Sequence, residues 1–196
     1  SFGSFGNYAI STWIIDFYVR VHNNISIQDL LISFGIINGT VYAFGVWAGG
    51  VIADKWGKKN RKGYALLPTI AMIIGVPCFI ASLYVGSAWL SIGLLAVLLL
   101  TSGMYLGPCF AIAQTLAPIN ARAMSTALFF FVLNIIALGG GPTLVGIVSN
   151  MYTESMGSAE ALRFSLTLLI VPYVLSILTF YWASTTIKRD WAEAEA

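Results

Sequence analysis

Charged side chains are scarce in this sequence. Only 9% of its 196 residues are Asp, Glu, Lys or Arg, and 58% are hydrophobic, whereas an average soluble domain has roughly 25% charged residues. Long apolar runs with so few charges are typical of chains that lie in a lipid bilayer. The composition therefore excludes an ordinary soluble domain.

Reactive side chains are also few. The single histidine is His22, and the two cysteines, Cys78 and Cys109, each lie inside an apolar run far from it. This spacing gives neither a metal site nor a redox motif and favours both cysteines as small buried residues. We expect no cofactor and no enzymatic activity. The alternative, an integral membrane enzyme acting on lipids, would need clustered His, Asp, Glu or Cys residues near an interface.

The apolar runs predict an all-α membrane protein. A helix needs about 20 apolar residues to cross the hydrocarbon core of a bilayer, and each run is about that long. We predict one transmembrane bundle over residues 1–185 and a cytoplasmic tail over residues 186–196. The predicted spans cover about residues 2–21, 30–53, 64–85, 89–116, 121–149 and 162–185.

Basic residues collect on one side of these spans. If the spans alternate in direction, only Arg20 and Arg163 fall near the opposite face. The residues on the basic side are Lys55, Lys58, Lys59, Arg61, Lys62, Arg122, Lys188 and Arg189. Because cytoplasmic loops carry an excess of Lys and Arg, we expect residues 54–63 and the carboxy terminus to be cytoplasmic. The basic residues form no stripe with interleaved aromatic residues, so nucleic acid is excluded as a partner.

The connection between the second and third spans carries a specific motif. It follows the pattern Gly-x-x-x-Asp-Lys-x-Gly-Lys-Lys, which resembles the short cytoplasmic loop that recurs in both halves of major facilitator superfamily transporters. The residues of this gating loop are Gly50, Asp54, Lys55, Gly57, Lys58 and Lys59. Because a helix end already carries partial negative charge, Asp54 should have a partner. That partner is a nearby lysine or, as the family pattern implies, the amino end of a helix in the other half. For Asp54 and Gly57 a cytoplasmic latch to that other half is favoured, and for the lysines a role in topology alone.

Other residues resemble the carboxy-terminal half of a bacterial Spinster-type transporter of that superfamily, over essentially the whole chain. They are Gly6-Asn7-Tyr8-Ala9, Trp13, Arg20, His22, Gly49-Gly50, Ala53-Asp54, Gly107-Pro108, Gly139-Gly140-Gly141-Pro142 and Ala161-Leu162-Arg163-Phe164. The sequence departs from the family pattern at Ile14-Ile15-Asp16, where a proline and no acidic residue would be expected. No role for Asp16 follows from the resemblance.

The resemblance implies one half of a twelve-helix bundle that moves a small organic or lipid-like amphipathic molecule by alternating access. We expect the bacterial inner membrane as its location. The expected partners are an amino-terminal six-helix half outside this sequence, the lipid bilayer and the substrate. Any proton or ion coupling would run through the amino-terminal half. A six-helix protein that dimerises to form a pore is a further alternative.

Polar residues within the spans are the candidates for a substrate cavity. In the superfamily the first, second, fourth and fifth helices of this half border the central cavity. On those helices the candidates are Tyr8, Thr12, Asn38, Tyr42, Gln114, Phe130 and Asn134. Tyr8 and Thr12 form a row with Asp16 at four-residue spacing, and such a row should face the bundle interior. For any single residue, a hydrogen bond between helices is an equally good interpretation.

Charges and glycines add further expectations. Asp16 and Arg20 lie four residues apart, so we predict an ion pair near the outer end of the first span, with a structural role favoured over a mechanistic one. His22 should be a solvated loop residue.

The run of Gly139, Gly140, Gly141 and Pro142 predicts a helix kink, either as a tight helix crossing or as a part that moves during gating.

Small residues at four-residue spacing occur in the second span and predict close helix packing. They are Gly35 with Gly39, and Gly45 with Gly49. We expect the same of Gly103 and Gly107 in the fourth span.

Overall fold

The computed structural model describes residues 1–22 and 25–195, and over those residues it contains helices and no strand. The all-α prediction is confirmed. The α-helices of this part of the chain are α1 (Phe2–Val21), α2 (Ile27–Ile36), α3 (Ala43–Lys59), α4 (Gly63–Tyr84), α5 (Ala88–Gly103), α6 (Leu106–Thr115), α7 (Arg122–Leu133), α8 (Gly140–Met156), α9 (Ser158–Thr167) and α10 (Ile170–Glu195).

Two of the connections between helices are themselves helical, so that long spans result. The first π segment, Ile37–Tyr42, is π-helical and joins α2 to α3. The second π segment, Asn134–Gly139, is also π-helical and joins α7 to α8. A short 3₁₀ turn, Ile119–Ala121, precedes α7.

Five stretches of the described chain are long and apolar enough to cross a membrane. They are Ile27–Lys59, Gly63–Tyr84, Ala88–Thr115, Ile119–Met156 and Ser158–Glu193. They correspond to the second to sixth predicted spans. The helix α1 has 20 residues but is more polar than these five. Because α1 packs against α2, α5, α8, α9 and α10, much of its surface meets protein instead of lipid, where polar residues are tolerated.

The helices extend beyond several predicted ends. Only Gly157, with φ of 83°, separates α8 from α9, although the sequence predicts a longer polar connection between residues 149 and 162. A positive φ favours glycine, which has no Cβ to clash with the backbone. The predicted tail is also helical, because α10 continues to Glu195 and buries Ile187 and Trp191.

The main core lies where α1 meets α4, α5, α9 and α10. Phe17, Phe79, Leu95 and Tyr173 are fully buried there. A buried polar chain crosses this core, in which the hydroxyl oxygens of Tyr18 and Ser91 lie 2.7 Å apart and Ser91 donates to the carbonyl of Ser82 at 2.6 Å. Since the donors and acceptors satisfy one another, these polar groups are accommodated inside an apolar core.

Close helix packing depends on specific glycines. A side chain at Gly45 or Gly49 of α3 would collide with the carbonyl of Leu100 or Met104, and one at Gly103 would collide with the backbone of the second span. The packing prediction is confirmed for these three glycines. It is not confirmed for Gly35 and Gly39, because the described part of the chain places no atom within 4 Å of where a Cβ would lie at either position.

Candidate functional site

A cavity of about 280 Å³ lies between α1, the first π segment, α5, α6 and α7. Its lining residues are Ser4, Asn7, Tyr8, Ser11, Asn38, Tyr42, Leu99, Tyr105, Leu106, Phe130 and Leu133. The fold thus brings together Tyr8, Asn38, Tyr42 and Phe130, which lie on three separate spans and which are cavity candidates on sequence grounds.

The other three candidates have different positions. Asn134 lies beside the cavity, where its Oδ1 accepts a hydrogen bond from the hydroxyl of Tyr8 at 3.2 Å. Thr12 donates to the carbonyl of Tyr8 at 2.9 Å, a bond within its own helix. Gln114 is an exposed residue of α6 outside the lining set.

A hydrogen-bond network on one wall of the cavity was not predicted from the sequence. The hydroxyl oxygen of Tyr105 lies 2.8 Å from Oγ of Ser4 and accepts from Nδ2 of Asn7 at 3.3 Å. The hydroxyl of the buried Tyr173 in turn donates to Oδ1 of Asn7 at 3.0 Å. Ser4 lies four residues before Tyr8, so extending the polar row of α1 by one turn would have found it. Tyr105 carries no such signal, because it lies at the break between α5 and α6.

The chemistry of the cavity is that of neutral hydrogen-bonding groups beside an apolar wall. None of the described lining residues carries a formal charge. The lining residues that come from α1 and the first π segment all carry a hydroxyl or amide group, while Leu99, Leu106 and Leu133 provide the apolar side. Among the described residues there is also no group of three side chains suited to hold a metal ion. A pocket of this kind orients a ligand through a few polar contacts and buries its apolar part.

The gating loop is held by contacts that the sequence did not predict. The hydroxyl of Tyr64, at the start of α4, donates to Oδ1 of Asp54 at 3.0 Å. The ring of Tyr64 lies against Gly57, where any side chain would collide with it, and it stacks on Trp191 of α10 with ring centres 5.2 Å apart. The guanidinium carbon of Arg61 lies 4.8 Å from the centre of the Trp191 ring, a cation–π contact. The ends of α3, α4 and α10 therefore meet at one cluster.

The remaining residues of the gating loop differ in exposure. Lys55, Lys58 and Lys59 are exposed at the end of α3, as side chains in water or near lipid headgroups would be. Gly50 lies one turn before Asp54, and its backbone is within 3.2 Å of a Cβ position at Gly107 of α6. Gly50 and Gly107 thus mark a further close approach between the second and fourth spans, which also meet at Gly45 and Gly49.

The predicted kink region combines a tight crossing with a change of helix type. The second π segment ends at Gly139, and Gly141 then lies directly against the carbonyl of Phe5 in α1. The carbonyl of Pro142 accepts a hydrogen bond from the indole of Trp13 at 2.9 Å, so an α1 side chain uses that carbonyl. The tight crossing expected from the sequence lies at Gly141, directly after the π segment. Movement of this part during gating stays a prediction.

The chain resembles known transporters in both sequence and fold. The chain is 26% identical over 194 residues to an MFS-type efflux pump of Mycolicibacterium smegmatis, covering 98% of the chain and 44% of the pump. It is homologous to a major facilitator transporter. Two crystal structures of a bacterial homologue of the human lysosomal transporter Spinster have the same fold, with TM-scores of 0.82 in the inward-facing occupied state and 0.85 in the inward-facing unoccupied state.

The major facilitator relatives are about twice as long as this chain. Each Spinster-homologue structure is 22% identical to it, and the match covers 96% of the chain but only 48% and 46% of those structures. The chain therefore spans about half the length of the relatives that it matches. No protein-family model matches the chain.

Near one end of the helix bundle, Asp16 and Arg20 form the predicted ion pair. The distance from Oδ2 of Asp16 to a guanidinium nitrogen of Arg20 is 3.8 Å, and the Arg20 and Asp16 side chains are 33% and 54% exposed. Pairs this open contribute about 0–1 kcal/mol. We expect Asp16→Asn and Arg20→Gln each to lower the melting temperature in detergent slightly, and the double variant to lose no more than either single one. Fully additive losses would show that the two charges do not interact.

The histidine at the same end is buried, so the prediction of a solvated His22 is wrong. Only 5% of its surface is exposed, and its ring stacks on Tyr18 with ring centres 5.5 Å apart. Its Nε2 has no hydrogen-bond partner in the described part of the chain. Burial lowers the pKa of His22 below its usual value, and the positive charge of Arg163 on α9 acts in the same direction. Sequence could not show this, because α9 lies some 140 residues away.

This lowered pKa predicts a pH dependence of stability. The unfolded chain binds a proton at His22 more readily than the folded chain does. The contribution of the neutral, buried His22 to the free energy of unfolding is therefore fully present above about pH 6.5 and is lost as the pH falls below that value. We expect the melting temperature to drop between pH 7.5 and pH 5.5, and His22→Asn to reduce that drop. The control is Arg20→Gln, which leaves the histidine in place. An equal drop in wild type and His22→Asn would contradict the prediction.

Proposed function

We propose that this chain is the carboxy-terminal half of a secondary active transporter, which moves a small organic or lipid-like amphipathic molecule by alternating access. The single observation that carries the proposal is the cavity of neutral polar and apolar residues, which occurs in a fold shared with major facilitator transporters. Since the chain spans about half of its relatives, the other wall of the site would come from an amino-terminal half.

In this proposal α1 is a sixth membrane span, which completes half of a twelve-helix bundle. Its 20 residues are long enough to cross a bilayer, and the helices packed around it explain how it can carry polar residues. The lysines at the end of α3, together with Lys188 and Arg189 of α10, would face the cytoplasm, which puts residues 54–63 and the carboxy terminus on that side of the inner membrane. The buried His22 would then lie at the outer end.

The cavity lining supports an amphipathic cargo. Hydroxyl and amide groups of α1 and the first π segment can bind the polar part of a molecule, while Leu99, Leu106 and Leu133 can bury its apolar part. The uncharged lining gives this half nothing that would compensate a charge on the substrate. A charged group would have to be met by the amino-terminal half, as would any coupling ion.

The proposal is tested by reconstitution in liposomes. We expect uptake of a fluorescent monoacylglycerol by vesicles that contain the full-length protein or both halves expressed together, because the site needs both walls. Vesicles with this chain alone should match protein-free vesicles. Uptake by the chain alone at the rate of the full-length protein would contradict the proposal.

A further inference from the structure

The two π segments share a position and a side-chain arrangement. They lie in the spans Ile27–Lys59 and Ile119–Met156, and both are next to the cavity. π-helical turns inside α-helices are rare and occur frequently at functional sites. Transporter folds with inverted repeats of three helices would relate the second span to the fifth. The two segments are therefore candidates for equivalent elements of two such repeats.

Each π segment begins near an asparagine that is bonded to its own helix. Nδ2 of Asn38 donates to the carbonyl of Phe34 at 3.0 Å, and Nδ2 of Asn134 donates to the carbonyl of Phe130 at 2.8 Å. Both sites thus follow the pattern Phe-x-x-x-Asn. An asparagine amide has an oxygen that only accepts and a nitrogen that only donates. One of the two N–H groups on each nitrogen is used in this bond, so the second N–H and the oxygen remain for other groups.

The two amide oxygens reach the cavity in different ways. Asn38 lines it directly, and no described residue donates a hydrogen bond to its Oδ1. Asn134 accepts from the hydroxyl of Tyr8, which also lines the cavity. Since the proton of Tyr8 is used in that bond, its oxygen is available as an acceptor. The cavity therefore presents two acceptors, the amide oxygen of Asn38 and the hydroxyl oxygen of Tyr8.

We propose that the paired asparagines of the two π segments make this site specific for a substrate that donates hydrogen bonds from a neutral hydroxyl or N–H group. The inference rests on the proposed function and names the substrate class of the same cavity. Asn38 is exposed in this half, so a bound substrate displaces the water on its amide oxygen. A substrate without donors does not replace that hydrogen bond and is therefore disfavoured. Asn38 is the residue that determines the specificity, while Asn134 positions Tyr8.

The choice of variant separates recognition from structure. Leucine at position 38 is close to asparagine in shape but has neither the amide oxygen nor the amide nitrogen. The carbonyl of Phe34 still accepts a hydrogen bond from the backbone N–H of Ile37. Asn38→Leu should therefore preserve the helix and remove the acceptor. Asn150→Leu, at an exposed asparagine of α8 outside the cavity, is the matched control.

The experiment compares two probes of similar size on the full-length protein in nanodiscs. The first is 1-oleoylglycerol, with two hydroxyl donors, and the second is its 2,3-di-O-methyl ether, with none. We expect wild type and Asn150→Leu to bind the first probe at least about tenfold more tightly, as one or two hydrogen bonds allow. Asn38→Leu keeps only the acceptor of Tyr8, so its preference for the first probe should fall at least about threefold below that of wild type, with an unchanged melting temperature.

Two different failures can be told apart. Equal binding of both probes by wild type, or a preference in Asn38→Leu as large as that of wild type, would overturn the donor specificity while leaving amphipathic transport in place. Binding of neither probe by wild type would overturn the amphipathic cargo of the proposed function, and the donor specificity with it.

Discussion

Asp54→Asn is expected to abolish transport while leaving membrane insertion unchanged. Asparagine keeps an oxygen that can accept from Tyr64, so the 3.0 Å hydrogen bond survives and only the negative charge is lost. In our account that charge pairs with the positive amino end of a helix in the amino-terminal half when the cytoplasmic side is closed. The measurement is the accessibility of single cysteines from the cytoplasmic and external sides of the full-length protein.

Two further variants sharpen this test. Lys62→Ala should change little, because Lys62 contributes only to the positive charge of the loop. Trp191→Ala should loosen the cluster at Tyr64 and shift the balance of accessibility in the same direction as Asp54→Asn, whereas Trp191→Phe should keep the stacking contact. If Asp54→Asn leaves the balance of accessibility unchanged, the loop serves membrane topology alone.

Gly141→Ala is expected to destabilise the protein by roughly 1–3 kcal/mol, as overpacking of a tight contact does. The new methyl group would collide with the backbone carbonyl of Phe5, which cannot rotate away as a flexible side chain could. The matched control is Gly139→Ala two residues earlier, where the described chain leaves the space open. Alanine there should be neutral or gain up to about 1 kcal/mol from its better helix propensity.

The comparison is made by thermal unfolding of both variants in detergent. A lower melting temperature for Gly141→Ala than for Gly139→Ala supports a tight crossing of α1 and α8. Equal melting temperatures would show that α1 does not approach α8 as closely as the structure has it.

Much of the fold could be predicted from the sequence, because lipid imposes a simple rule. Twenty apolar residues in a row have few alternatives to a membrane helix, and five of the spans follow from that rule alone. The polar row of α1 likewise indicated Tyr8 as a cavity residue, but Thr12 and Asp16 of the same row are exposed and lie outside the cavity lining. These predictions depend on local composition and helical periodicity, which a single sequence displays.

The parts that could not be predicted depend on contacts between distant residues. Tyr105 joins the cavity because the break between α5 and α6 faces α1. Trp191 lies in the stretch that the sequence predicts as a cytoplasmic tail. Its partners Tyr64 and Arg61 lie about 130 residues earlier in the chain, so no local pattern indicates these contacts. The π segments are a further example, because Asn38 and Asn134 differ from ordinary polar residues of a span only in the helix geometry around them.

The central claim, alternating access to the cavity, is tested most directly at Ser11. This residue is exposed and lines the cavity, so Ser11→Cys, in a background without Cys78 and Cys109, can report which side the cavity opens to. Ile74→Cys, at an exposed position in the middle of α4, is the control for a lipid-facing site. We predict that membrane-impermeant thiol reagents label Ser11→Cys from both sides, that Asp54→Asn shifts the ratio between the sides, and that Ile74→Cys reacts from neither. Labelling of Ser11→Cys from one side only, in wild type and in Asp54→Asn alike, would contradict the account.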